Sequence, residues 1–465
     1  RKEKVTGYNK LIQVSKMDSE TKKNLQYEKM TTKPIPKLIG TLAIPTIISM
    51  MVTNIYNLVD TAFVGRLGNS ASGAVGIVFG YMSILQAVGF MCGQGAGSVM
   101  SRRLGAKDSE GATAYSSTGF FLSLLLGGII GILSYIFLTP LVHILGSTKT
   151  IEPYAKSYII YIIISAPFFT SSLTLNNLLR YEGRARLGTI GLMTGAAINI
   201  GGDMLFMFGM NMGISGAGLS TALSQTISFI ILLAMFLTGR TETKISIHRI
   251  SHTFVVPGNI MATGFPSLIR QSLNSIATML LNGQSAIYGD AAVAAMSNTS
   301  RIAFFMMAVA IGMGQGFQPV SSYNYGAGKY DRVKKAFWFT VAAAEVLLLI
   351  IIIPVYIKSD FFLSLLRDDS EVLSYGIRAL RLQCITLMFV PLTMMTEMGF
   401  QSTGQRALAI FASSLRSGLI FIPVLLILSA LRGMSGIQEA QPVGYVISFI
   451  ISLFLSRIFM KKLDK

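Results

Sequence analysis

Four acidic residues interrupt long apolar runs in this chain: Asp60, Asp203, Glu345 and Glu397. A carboxylate in hydrocarbon costs about 2.5–3.5 kcal/mol on insertion scales, so an acid kept in such a run calls for a use. Tyr56 and Asn57 precede Asp60 by four and three positions, and Asn199 precedes Asp203 by four. On helices these spacings put each acid on one face with neutral polar groups. Thr221, on the next run, can add a hydroxyl, and Gly201 and Gly202 leave room for a neighbouring helix. Carboxylate, amide and hydroxyl oxygens suit a hard cation such as sodium. Desolvated carboxylates suit a proton as well, and the residue types leave both ions open. Plainer readings stand beside these. Asp60 can lie at headgroup level near the outer end of its run, and Asp203 can be a buried structural acid. Glu345, among Ala, Val, Leu and Ile, reads as structurally paired. Glu397 reads either as an attractor of cationic substrates or as the ion-pair partner of Arg270, Arg301 or Arg416.

The elements that carry these residues follow from composition. The chain has 465 residues, of which 52% are hydrophobic and 13% charged, about half the charge of a soluble protein. Runs of about twenty apolar residues, the length of a membrane-spanning helix, fall near 38–63, 74–100, 113–138, 155–179, 188–209, 216–238, 257–284, 291–318, 334–357, 374–402, 407–430 and 438–459. Backbone groups in lipid must pair within each segment, and no alternation marks barrel strands, so these runs are helices. The net charge of +18 would suggest nucleic acid in a soluble chain. Here the basic residues gather in alternate loops: Arg102, Arg103 and Lys107; Arg180, Arg184 and Arg186; Arg240, Lys244 and Arg249; Lys329, Arg332, Lys334 and Lys335. This is the positive-inside pattern, so both termini are expected in the cytoplasm and no nucleic-acid partner is. Residues 1–36 read as a polar cytoplasmic tail rather than a cleavable signal, with Met17 a possible initiator, and 461–465 as a second tail. Cys92 and Cys384 lie in apolar runs without zinc or disulfide spacing, and His143, His248 and His252 form no ligand motif, so no cofactor or metal is expected beyond a coupling ion.

The chain repeats itself. Residues 93–106 read GQGAGSVMSRRLGA and residues 314–327 read GQGFQPVSSYNYGA, an offset of 221 that also links Pro45 to Pro266, Ala74 to Ala295 and Gly183 to Gly404. A duplicated unit of six spans enters the bilayer twice in the same sense. The expected fold is therefore all-α and integral to the membrane, with twelve transmembrane helices in two six-helix lobes. A pseudo-twofold axis along the membrane normal relates the lobes. The lobes are placed at 37–240 and 257–460, with a cytoplasmic loop at 241–256 between them. Asp60 and Asp203 have Leu281 and Val424 as repeat mates, so the second copy lacks both acids. The glycines at 93, 95 and 97 sit in an apolar helix without a preceding strand, and read as packing glycines rather than a phosphate loop.

AIPTI at 43–47, NLVDTAFVG at 57–65, the two repeat segments above, NIGGD at 199–203 and QPVSSYNYGAG at 318–328 resemble the multidrug and toxic compound extrusion (MATE) transporters. The likeness runs from about residue 37 onward and is nearest the DinF-type branch. It implies a central cavity between the lobes and export of drugs in exchange for protons or sodium. It also implies that Tyr56, Asp60, Asn199, Asp203 and Thr221 match the N-lobe ion or proton site, with Asn57 beside them, and that Pro45 matches a proline at which the first helix bends. Glu397, its repeat mate Asn176, and Gln271 and Asn274 are candidate cavity residues for amphiphilic or cationic drugs. The C-lobe acids of NorM-type members have no evident counterparts. A lipid-linked sugar flippase, a major facilitator transporter and a membrane enzyme are the competing readings. The loop SRRLGAKD lacks the facilitator pattern, and no HExxH or Ser–His arrangement supports an enzyme. A monomer is expected.

Overall fold

Each apolar run becomes a helix, because a backbone in lipid can pair its amides only within its own segment. The computed structural model describes residues 19–251, 253–367 and 369–464. His252, Met17 and half of the first tail, residues 1–18, lie outside the described residues. Among the described residues there is no strand. The first six spans are α2 (Ile35–Gly65), α3 (Asn69–Gly105), α4 (Ser109–Ile136), α5 (Glu152–Tyr181), α6 (Ala185–Asp203) and α7 (Ile214–Leu237), preceded by a shorter α1 (Ser19–Thr32). A π-helical turn, Met204–Gly209, prolongs α6 beyond Asp203.

The second six begin with α8 (Val255–Ala286), α9 (Asp290–Gly326) and α10 (Tyr330–Ile357). The tenth span is broken into α11 (Ser370–Leu387) and α12 (Val390–Ser402), bent by 53°. Pro391 explains the break, since it offers no amide to the preceding turn. The last two spans run from α13 (Arg406–Ser414) through a π-turn (Leu415–Leu419) into α14 (Phe421–Lys462). The 42 residues of α14 would reach about 63 Å as one rod, twice the hydrocarbon thickness. The chain instead reverses at Gly433, whose φ of 60° suits glycine, and brings Gly444 back against Phe421. The twelve spans expected from the sequence are thus present.

Small residues set the distance between the two halves. A Cβ on Gly95 would lie 2.1 Å from the Ile260 carbonyl oxygen, and one on Gly264 would lie 1.9 Å from that of Met91. Gly105 abuts the Tyr323 carbonyl, and Gly326 abuts that of Arg102. Backbone-to-backbone approach of this kind is how apolar helices associate where lipid gives no hydrophobic gain. These contacts lie in the half of the bundle that carries the basic loops. Hydrogen bonds also cross between the halves, among them one from Gln271 Nε2 to Gln86 Oε1 at 2.8 Å. Gly202 meets Ser220, as its type suggests, whereas Gly201 has no neighbour within 4 Å.

The helix α1 was not foreseen, because its sequence has no apolar period. It docks through polar contacts to both halves. Gln26 Nε2 donates to the Glu182 carbonyl at 2.6 Å, while Asn324 Nδ2 donates to the Met30 carbonyl at 3.1 Å and Lys329 Nζ to that of Thr31 at 3.2 Å. The fully buried Glu182 carboxylate anchors the loop after α7 by accepting from the backbone amides of Glu242 (3.1 Å) and Thr243 (2.8 Å) and from the Thr243 hydroxyl. Burial, and then the Glu182 charge, pushes the Glu242 carboxyl up to about 7 from 4.5. The folded protein therefore binds a proton here that the unfolded chain releases, and the cost grows as pH rises from 4.5 to about 7. Glu242→Gln is expected to raise the melting temperature at pH 8 and to leave it nearly unchanged near pH 4.5. An equal shift at both pH values would show that burial of the Glu242 charge is not the cost.

Candidate functional site

Asp203 ends α6, where the helix loosens into its π-turn, and is fully buried. Asn199, one turn earlier, is 2% exposed and donates from Nδ2 to Thr221 Oγ1 at 3.3 Å; its carbonyl accepts from Ser220 Oγ at 2.8 Å. Asp60 comes from α2 and lies beside Asp203. Asp60 is half-buried overall, with its Oδ1 fully buried. The side chains of Tyr56 and Asn57 lie outside the described residues; both positions are helical.

The arrangement is rich in acceptors and poor in donors. Asp60 Oδ1, Asn199 Oδ1 and both Asp203 carboxylate oxygens are buried without a hydrogen-bond partner. A buried polar atom left unpaired costs about 1–3 kcal/mol, and more when charged. Two adjoining carboxylates in such surroundings cannot both stay charged unless a cation lies between them. Carboxylate and amide acceptors around one point are a donor set for sodium or for a bound proton.

A second polar layer joins the two halves. Arg180 donates from one guanidinium nitrogen to Gln315 Oε1 on α9 and from another to Asn177 Oδ1. Arg270 on α8 forms an ion pair with Glu397 on α12, and also reaches Gln94 Oε1 on α3 at 3.5 Å. Ser267 Oγ donates to the same Gln94 oxygen at 2.6 Å, Gln401 Nε2 donates to Ser267 Oγ at 2.7 Å, and Gln318 Nε2 donates to Gln401 Oε1 at 3.1 Å. Gln94 and Gln315, which are repeat mates, each accept from an arginine of the opposite half.

The structure therefore gives Glu397 a counter-charge, and its partner is Arg270 rather than Arg301 or Arg416. Arg180, counted among loop residues in the sequence, is instead in the last turn of α5 and 3% exposed. Glu345 is partly exposed on α10 and, among the described residues, has no ion pair, contrary to its expected pairing. Gln271 joins the polar layer through Gln86, Asn274 is exposed, and Asn176 packs over Gly188, with its Nδ2 2.6 Å from where a Cβ would stand. Pro45 lies inside α2, and its carbonyl accepts from Thr189 Oγ1 on α6 at 3.1 Å. The glutamine layer was missed because neutral amides carry no charge to flag them; the repeated Gly-Gln-Gly at 93–95 and 314–316 was the available signal.

Comparison with known proteins places the whole architecture. The chain is similar to the multidrug export protein MepA of Staphylococcus saprophyticus, 24% identical over 414 residues covering 89% of this chain and 91% of that protein. It is 25% identical to MepA of Staphylococcus haemolyticus over 415 residues, again 89% of this chain and 91% of that protein. A solved outward-facing conformation of a multidrug resistance MATE family transporter of the MOP superfamily superposes with a TM-score of 0.88 at 25% identity, covering 93% of this chain and 99% of the other. The MatE family profile matches residues 45–205 and 266–427, one copy in each half of the duplication. With both repeats matched, the chain belongs to the MatE family, the multidrug and toxic compound extrusion proteins.

Proposed function

We propose that the protein is a secondary active multidrug exporter that exchanges amphiphilic or cationic compounds for protons or sodium by alternating access. The observation that carries the coupling half of this reading is the set of unpaired acceptor oxygens on Asp60, Asn199 and Asp203. Thr221 and, on α2, Tyr56 and Asn57 complete the site. The lobes are residues 37–240 and 257–460, joined by the loop at 241–256, and the protein acts as a monomer in the cell membrane. The names of the MepA relatives support the drug-export half. Cells with and without the protein should differ in accumulation of a fluorescent drug, and an ionophore that collapses the gradient should erase the difference. A difference that survives the ionophore sinks secondary transport.

With both termini cytoplasmic, the side on which the glycine contacts close the lobes together is the cytoplasmic one. Substrate then leaves from between the outer halves of the lobes, and Pro45 is the place where α2 bends as that state is left. Single cysteines at Lys149 and Arg367 are expected to react with an impermeant thiol reagent added outside. Cysteines at Arg184 and Lys334 are expected not to react, and the native Cys92 and Cys384 are buried and stay silent. Labelling of the second pair alone would invert the topology.

A further inference from the structure

A cleft of about 390 Å³ opens beside the first turns of α2 and α6, lined by Lys37, Gly40, Thr41, Ile44, Pro45 and Arg186. Lys37 and Arg186 are exposed and, among the described residues, neither has a carboxylate partner. The neighbouring cations offer no compensation. Arg184 is taken up by Glu182 at 3.5 Å, and Lys29 reaches only the Gly183 carbonyl at 3.4 Å. Burial, and after it the charges of Arg184, Lys33 and Arg186, hold Lys29 down at about 8. Farther along the same two helices, Ile44 is 58% exposed, Ile48 45% and Ile190 52%, an apolar slope leading away from the charged mouth. Clustered cations at a span end with apolar surface beneath match an amphiphile whose head is an anion.

We propose that this cleft binds the phosphate of an anionic phospholipid between Lys37 and Arg186, with an acyl chain along Ile44, Ile48 and Ile190. The position has a consequence for transport. The lipid would bridge α2 and α6 beside the contact of Thr189 with the Pro45 carbonyl, and these are the helices that carry Asp60 and Asp203. Occupancy ties the first turns of α2 to α6, so that bending of α2 at Pro45 is passed on to the Asp60 and Asp203 pair rather than lost as sliding of the helix ends, and anionic lipid should raise the efflux rate.

The test uses the full-length protein in vesicles of phosphatidylcholine alone or with a minor share of phosphatidylglycerol, with native mass spectrometry of the lipid retained after extraction. The parent should retain phosphatidylglycerol and export faster in its presence. Lys37→Gln combined with Arg186→Gln should weaken retention about 30-fold, as expected for two charges each worth about 1 kcal/mol near a membrane surface, and should remove the stimulation. Lys37→Arg with Arg186→Lys should keep both. Lys335→Gln with Lys461→Gln, which neutralises exposed cations elsewhere on the same side, should behave as the parent. Unchanged retention in the cleft variant would overturn the proposal. So would equal loss in the Lys335 and Lys461 variant, since the effect would then be general surface charge. Inorganic phosphate titrated into the detergent-solubilised parent should not displace the lipid. Binding of free phosphate without any preference for phosphatidylglycerol would make this an anion site and not a lipid site.

Discussion

Proteoliposomes carrying Asp203→Asn or Asp60→Asn are expected to show no more gradient-driven dye efflux than protein-free vesicles, while the parent responds to an imposed proton or sodium gradient. The reasoning starts from the charge of the pair. Two facing carboxyls with unpaired oxygens attract a cation because their mutual repulsion and lost hydration have no other remedy. An amide has nearly the same shape, but it brings donors and no charge. Either substitution should leave the fold intact and the ion unbound. Coupling is a difference in free energy between states that ion and substrate each bias, and it is reciprocal, so a site that cannot bind the ion cannot convey its gradient. Dye binding should survive, because none of the candidate cavity residues, Gln271 and Asn274 among them, is altered. Running both gradients on the parent names the ion. If either variant still follows the gradient as the parent does, the coupling ion binds elsewhere.

The acid site was legible in the sequence for a simple reason: charge is rare in hydrocarbon, and a four-residue spacing on a helix needs no tertiary information. In the structure Asn199 reaches Thr221, and Asp60 lies beside Asp203 from another helix. The twelve spans were legible from length alone, although α8, with Arg270, Gln271 and Asn274, is less apolar than its neighbours. Those polar residues lie on the span that meets the opposite lobe. Three features stayed hidden because each depends on a partner distant in the chain. The helix α1 is mostly polar, with Met30 buried against the core, and is held by amides and cations of both lobes. Arg180 looks like a loop cation until Gln315 is seen across from it. Glu397 had three arginines to choose from, and only the packing of α8 against α12 selects Arg270.

That selection changes the expected behaviour of Glu397. Read as an uncompensated charge, it would tune export of cationic dyes alone. Paired with Arg270, both partners largely buried, it is expected to be a structural requirement. Removing one member of a buried ion pair costs about 3–5 kcal/mol, a large part of the roughly 5–15 kcal/mol that holds a typical protein folded. The two partners are not equivalent. A lone carboxyl can shed its charge by taking up a proton, but a guanidinium cannot. Glu397→Gln should therefore lower membrane abundance and melting temperature more than Arg270→Gln does, and efflux of cationic and neutral dyes should fall together. The double change Arg270→Gln with Glu397→Gln removes both charges together, so it should recover most of the lost stability. Abundance by fluorescence-detected chromatography and efflux of a permanent cation beside a neutral dye are the two readouts. A stable Glu397→Gln protein that loses cationic dyes alone would show that Arg270 leaves the Glu397 charge available to substrate, and the pairing would then be incidental.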